Sequence, residues 1–168
     1  MAVDMLVFGA HPDDIEIGMG GTIAKHTESG SEVVVCDLTL AEMSSNGDVD
    51  SRQEEAANAA AILGVKQRVN LQLPDRGLRL ERDQIEEIVK VIRTYQPKVV
   101  FAPYWEDRHP DHTMCSRLVQ EAVFNAKLRK WLPELPAFTV EQLYFYFINN
   151  THAPDLVVDI SDTFERKK

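Results

Sequence analysis

Cysteine is scarce in this chain: among 168 residues only Cys36 and Cys115 occur, and they form no CxxC or other ligand pair. A metal site built on paired cysteines is therefore excluded. Cys36 ends the apolar run Val33-Val34-Val35-Cys36 and Cys115 follows His112 by three residues, so both read as buried, inert core thiols. No apolar run approaches the ~20 residues that a membrane-spanning helix needs. The opening MAVDMLVFGA has neither the basic nor the apolar region of a secretion signal, because Asp4 interrupts it, and a cytoplasmic location is the expectation. Positive charge is also in deficit, with 18 Lys and Arg against 27 Asp and Glu and a formal net charge of -9. That balance argues against nucleic acid or an anionic membrane as partner, while leaving room for a small anionic substrate gripped by a few local arginines. With 44% hydrophobic and 27% charged residues the chain has the profile of a globular protein, and its length suits one domain, residues 1–168, with a single core.

What is present is an alternation of strand and helix signals. Val3–Phe8 is a short apolar run closed by Gly9 and Pro12, a first buried strand. A helix over Thr22–Glu28 is expected behind Gly18, Gly20 and Gly21, then a second strand over Val33–Leu38 and a polar stretch, Ala41–Asp50. Ser51-Arg52-Gln53-Glu54 fits a capping box ahead of the alanine-rich helix Glu55–Leu63, with Gly64 placed to end it. Val69–Leu73 is a third strand, followed by the turn Pro74-Asp75-Arg76-Gly77. Ile85, Ile88, Val89 and Ile92 have the spacing of one helix face. Pro97 closes that helix, Val99–Ala102 is a fourth, fully buried strand, and a further helix is expected from about Asp111 to Ala126. Leu143–Ile148 and Leu156–Ile160 are two more strand candidates. The pattern implies an α/β fold, Rossmann-like and doubly wound, with a mostly parallel sheet and helices on both faces. Asp162-Thr163-Phe164-Glu165 resembles another capping box close to the last residue, which suggests a C-terminal helix cut short.

Two clusters carry the chemistry. Ala10-His11-Pro12-Asp13-Asp14-Ile15-Glu16 follows the first strand, and Arg108-His109-Pro110-Asp111-His112 follows the fourth. In the doubly wound order 3-2-1-4-5 these strands are neighbours, and the crevice at their carboxyl ends is the topological switch point. His11, Asp14 and His112 then offer two imidazoles and one carboxylate, leaving a coordination position open for water, as a catalytic divalent ion requires; zinc is the expected ion, and Fe2+ is possible. Asp13 is left as a carboxylate beside the ion, able to take a proton from water whose pKa the ion lowers towards ~7. Asp111 can orient a histidine of its own cluster.

Other readings compete. Either HPD segment alone could be a simple turn. Two histidines and a carboxylate also describe the facial triad of non-haem iron oxygenases, which usually occupy β-barrels. A nucleotide- or sugar-binding module with a vestigial site would look similar but would not retain metal. Gly18-Met19-Gly20-Gly21 fails the dinucleotide pattern GxGxxG at Ile23, so these glycines are expected to let the backbone approach the metal loop and open the helix. Arg52 falls at the first position of its expected helix, where the macrodipole disfavours a cation. An arginine there is either solvated or aimed into the crevice to stabilise an oxyanion or grip substrate. Arg76 and Arg108 sit on the equivalent loops after the third and fourth strands. Three arginines at one sheet edge of an acidic protein favour an anionic substrate.

The pattern HPDD-x-E-x-G-x-GG-T at His11–Thr22, with HPDH at His109–His112, resembles the PIG-L/LmbE-like zinc de-N-acetylases. The stretches Ser44–Gly47 (SSNG), Leu73–Gly77 (LPDRG) and Glu106–His112 (EDRHPDH) resemble the bacillithiol-biosynthesis branch of that family most closely. The resemblance implies His11, Asp14 and His112 as metal ligands and Asp13 as general base. It implies His109 as the group that polarises the intermediate or protonates the leaving amine, and Arg52 as a substrate and oxyanion contact. Asp75, Arg76 and Arg108 are the further substrate contacts expected. The reaction implied is removal of acetate from N-acetylglucosaminyl-L-malate, with another N-acetylglucosamine compound, chitobiose-like or mycothiol-conjugate-like, as the alternative. Assembly as a trimer or hexamer is implied as well.

Overall fold

The computed structural model describes residues 2–168. Five strands, β1 (Met5–Gly9), β2 (Val33–Thr39), β3 (Gln67–Leu73), β4 (Val99–Pro103) and β5 (Gln142–Tyr146), form one all-parallel sheet in the order β3-β2-β1-β4-β5. Helices α1 (Asp14–Glu28), α2 (Val49–Ile62), α3 (Arg82–Tyr95) and α4 (Pro110–Ala126) make the crossovers. Side chains alternate along each strand, which builds two cores. Leu6, Phe8, Val34, Cys36 and Val100 face α3 and α4, whereas Met5, Val7, Val33 and Val35 face α1. The central strands β1 and β2 are buried along their whole length, as parallel strands covered on both faces must be. Cys36 and Cys115 are free and buried in the first of these cores. Among the described residues no helix is long and apolar enough to cross a membrane.

Several expected boundaries move, each for a packing reason. Helix α1 begins at Asp14, not Thr22, so Gly18, Gly20 and Gly21 lie inside it and do not open it. They are notches for later parts of the chain. A Cβ on Gly18 would fall 2.2 Å from the ring of Tyr146, and one on Gly21 would fall 2.4 Å from Ile160. Helix α2 begins at Val49 and is capped by Asp48, whose carboxylate accepts from Ser51 N at 2.8 Å while the Ser51 hydroxyl returns to Asp48 N at 3.1 Å. The capping box therefore lies one turn ahead of its expected place, and Arg52 sits inside the helix.

Leu156–Ile160 forms no strand. It crosses α1 instead of reaching a sheet edge: Ile160 fills the Gly21 notch and the Asp159 carbonyl accepts from Lys25 Nζ at 2.6 Å. Thr163 precedes the short helix α5 (Phe164–Lys167) but makes no side-chain cap, because its hydroxyl donates to the Gly21 carbonyl at 2.9 Å. Strand β4 is not fully buried. Val99 and Phe101 are half-covered because α1 packs over β1 and β2, and Phe101 stacks on Tyr144 of β5 with centroids 5.6 Å apart.

Candidate active site

The carboxyl ends of β1 and β4 are adjacent in the sheet, and the loops that leave them bring both His/Asp clusters together. Pro12 and Asp13 turn the chain sharply out of β1. Asp13 takes φ 117°, a sparsely populated conformation, and this directs Asp13 and its neighbour Asp14 to different places. Asp14 points inward. Its Oδ2 accepts from the backbone N–H of Ala10 (3.0 Å) and His11 (2.9 Å), and lies 3.5 Å from His11 Nδ1; its Oδ1 lies 3.0 Å from His112 Nε2. Burial alone would raise the Asp14 carboxyl, but hydrogen bonds from His11 and His112 hold it well below the usual carboxylate range.

Asp13 points the other way. Arg52 Nη2 donates to Asp13 Oδ2 at 2.8 Å and to the Pro12 carbonyl at 2.7 Å, so the guanidinium braces both the base candidate and the turn that presents it. Burial raises the Asp13 carboxyl; the Arg52 hydrogen bond opposes this, and the neighbouring charge of Asp14 adds to it. A carboxyl shifted upward is a stronger base once ionised.

The second cluster sits on the N-terminus of α4. His109 is the N-cap residue, its Nδ1 accepting from Asp111 N at 3.2 Å, and Pro110 follows where a missing N–H costs nothing. That bond occupies the Nδ1 lone pair, so a neutral His109 carries its proton on Nε2. Its ring stacks on His112 at 4.7 Å and meets His11 edge-on at 4.8 Å. Burial, and then the charges of His112 and His11, push the His109 imidazole below its ordinary value, towards the neutral form.

Donor nitrogens of His11, His109 and His112 lie within 4.8 Å of one another, and Asp14 lies between His11 and His112. The expected trio of His11, Asp14 and His112 is thus brought together, with the His109 ring beside it. Imidazole nitrogen with carboxylate oxygen suits zinc or ferrous iron, and the set fits a divalent cation. The His11 proton shows the same preference for positive charge at this point. Burial would lower the imidazole, yet Asp14, Asp75 and Asp111 outweigh it and raise it to about 9.

The surrounding carboxylates are arranged differently from expectation. Asp111 turns to His11, with Oδ2 3.4 Å from His11 Nε2, and not to a histidine of its own cluster. It also accepts from the backbone N and Nη1 of Arg76, both at 2.9 Å; the left-handed Arg76 backbone (φ 58°) aims that N–H inward. Asp75, expected among the substrate contacts, lies against His11 Nε2 at 3.2 Å and accepts from Met43 N, with only 5% of its side chain exposed. The residue that orients His112 is one the sequence reading missed. Asp107 Oδ1 meets His112 Nδ1 at 3.1 Å and accepts from His109 N at 2.8 Å, and Asn149 after β5 donates to both of its oxygens at 3.0 Å. The available hint was an acid five residues ahead of His112; nothing local marked Asn149.

Above these groups opens a cavity of about 600 Å³, lined among others by Met43, Asn46, Arg52, Arg108, Ile148 and Asn149. The volume is typical of a small-molecule site. Of the three arginines expected to attract an anion, Arg52 is bound to Asp13 and Arg76 to Asp111. Arg108 reaches the cavity without an ion pair among the described residues.

The profile of the family described as GlcNAc-PI de-N-acetylase (PIG-L) matches residues 6–123. A diacetylchitobiose deacetylase of Thermococcus kodakarensis is 38% identical over 97% of this chain and 66% of its own length. The probable N-acetyl-alpha-D-glucosaminyl L-malate deacetylase 2 of Bacillus subtilis is more distant, 29% identical over 76% of this chain and 63% of its own length. The chain thus spans slightly less than two thirds of these curated relatives. Among solved structures, the conserved protein TT1542 of Thermus thermophilus is 44% identical with a TM-score of 0.95, covering 98% of this chain and 75% of that one. The N,N'-diacetylchitobiose deacetylase of Pyrococcus horikoshii is 31% identical with a TM-score of 0.89, covering 99% of this chain and 67% of that one.

Proposed function

The chain belongs to the family of GlcNAc-PI de-N-acetylases, and on that premise we propose that it hydrolyses the acetamide of an N-acetylglucosamine unit in a neutral, chitobiose-like sugar. The observation that carries the reading is the divergence of two consecutive carboxylates: Asp14 lies between His11 and His112, while Asp13 faces Arg52 at the cavity wall. A hydrolase needs one carboxylate to hold an ion and another, free of it, to move a proton.

His11, Asp14 and His112 would hold the divalent ion, zinc or iron, and His109 stands beside them with its Nε2–H free for the substrate. When bound, such an ion polarises the acetamide carbonyl and makes water more acidic. The chain's own residues do the rest. Asp13 accepts a proton from the attacking water as its oxygen bonds to the carbonyl carbon, and Arg52 keeps the carboxylate aimed. Nε2–H of His109 hydrogen-bonds the oxygen that gains charge, or passes its proton to the nitrogen as the C–N bond breaks and regains one from Asp13. The proton taken by Asp13 ends on the departing amine, leaving acetate and the free amino sugar.

Charge supports a neutral sugar over the malate conjugate. A substrate carrying carboxylates calls for unpaired cations, and two of the three arginines at this edge are already bound to acids. The greater similarity to diacetylchitobiose deacetylases than to the malate-type enzyme points the same way. The test is acetate release from N,N'-diacetylchitobiose and from N-acetylglucosaminyl-malate, each with and without chelator. Preference for chitobiose, abolished by chelation, is the expected result. Preference for the malate conjugate would overturn the substrate assignment, and turnover insensitive to chelation would overturn the metal.

A further inference from the structure

Asp13 and Arg52 also border a second, partly open pocket of about 120 Å³ between α1 and α2, lined further by Pro12, Glu16, Ala56, Ala59 and the exposed Glu55. Asp13 and Arg52 line both spaces and so form the wall between them. Two polar atoms of the smaller pocket are buried and have no partner in the protein: Oε2 of Glu16 and Nε of Arg52. One is an acceptor and the other a donor. Buried groups of this kind are satisfied by ordered water where the protein does not reach them, and the pocket has room for several molecules.

Glu16 is itself immobilised. Its Oε1 accepts from Arg68 Nη1, and the same nitrogen donates to the Ala56 carbonyl of α2 at 3.2 Å. The remaining nitrogens of Arg68 grip Asp37 at the end of β2, Nε at 2.6 Å and Nη2 at 2.9 Å. Arg68 thus ties α1, α2, β2 and β3 together and leaves the second oxygen of Glu16 as its unpaired one, on a residue that lines the same pocket as Arg52.

We propose that Glu16 is a positioning residue for the reaction. Water held between α1 and α2 joins its free oxygen to Arg52 Nε and so fixes the guanidinium that aims Asp13. Arg52 has two bonds on one Nη nitrogen, both towards the Pro12–Asp13 turn, and these alone leave the guanidinium plane free to swing about that end. A second attachment through Nε sets the plane. The inference rests on the hydrolase reading of the same site but reaches residues outside the cavity that receives substrate.

The experiment is a double-mutant cycle with Glu16→Gln and Arg52→Lys, supported by high-resolution crystal structures of wild type and Glu16→Gln. Lysine lacks Nε, so once it replaces Arg52 the Glu16 link has nothing to hold. Expected is a fall in kcat of about ten- to a hundredfold for Glu16→Gln, with KM and bound metal unchanged, and little further loss when it is added to Arg52→Lys. Water should bridge Glu16 Oε2 and Arg52 Nε in the wild type, and Arg52 should depart from Asp13 in Glu16→Gln. Ala59→Met, which fills the pocket without touching the ion triad, should lower kcat likewise and covers the case in which Glu16→Gln fails to fold. Wild-type kcat in a folded Glu16→Gln, or losses that multiply independently in the cycle, would overturn the proposal. If the wild type releases acetate from no N-acetylated sugar, the hydrolase reading fails by itself. The crystal structures then decide the positioning role alone, and absence of a bridging water, or an unmoved Arg52, refutes it.

Discussion

Replacing Asp107 with Asn should weaken metal binding while leaving every atom of the ligand set in place. The Asp107 carboxylate is surrounded by donors: Oδ1 faces His109 N, His112 Nδ1 and Asn149 Nδ2, and Oδ2 faces Asn149 N. Only 4% of the side chain is exposed, so water cannot easily take over. An amide offers one oxygen and one NH2. With the oxygen at the Oδ1 place, NH2 confronts Asn149 N–H; flipped, it confronts three groups at once. Either orientation leaves at least one donor facing a donor, at about 1–3 kcal/mol. Loss of the negative charge also makes His112 a poorer electron donor. Changes to such supporting groups typically lower metal affinity about 10–100-fold, which corresponds to about 1.4–2.8 kcal/mol and agrees with the count of broken contacts. Competition titration of the apo-protein against a chelator of known affinity measures this directly. Metal affinity within about twofold of wild type, in a variant that folds, would show that His112 is held by its own packing and that the Asp107 contact is incidental.

Asp13→Asn should retain its metal and lose most acetate release, at least about a hundredfold in kcat; retained turnover would remove Asp13 as base. Gly18→Ala and Gly20→Ala should part company in thermal melts although both sit in α1. The first drives a methyl into Tyr146 at 2.2 Å and the Phe147 carbonyl at 2.8 Å, costing on the order of 1–3 kcal/mol. The second meets only the flexible Lys167 side chain at 3.3 Å and should be neutral or stabilising by up to about 1 kcal/mol. Arg93→Met should cost about 2–4 kcal/mol in urea unfolding, because Arg93 is 3% exposed and its guanidinium donates to the carbonyls of Ala126, Leu128, Leu132 and Leu135 at 2.7–3.1 Å. Its kcat at 25 °C should stay near wild type, since these contacts lie at the far end of the 17-residue α4, about 20 Å from His112 along the helix.

While the strand expected at Leu156–Ile160 was not formed, the alternation of five strands with crossover helices, and the meeting of His11, Asp13, Asp14, His109 and His112, were legible along the chain. The reason is that strand periodicity, turn residues and parallel connectivity are local or topological properties: once β1 and β4 are neighbours, their carboxyl-end loops must meet. The same locality misplaced what depends on distant partners. The glycines of α1 look like helix breakers until Tyr146 and Ile160 fill the space that they leave. Leu156–Ile160 has strand composition but joins neither edge of the sheet, because it packs across α1. What each site residue touches depended on the folded chain. It gave Arg52 and Arg76 carboxylate partners, turned Asp111 towards the other cluster's histidine, and assigned the support of His112 to Asp107 and Asn149. Those pairings are set by side-chain direction across separate loops. No spacing along the chain encodes that direction, and it settles how much free positive charge remains for a substrate.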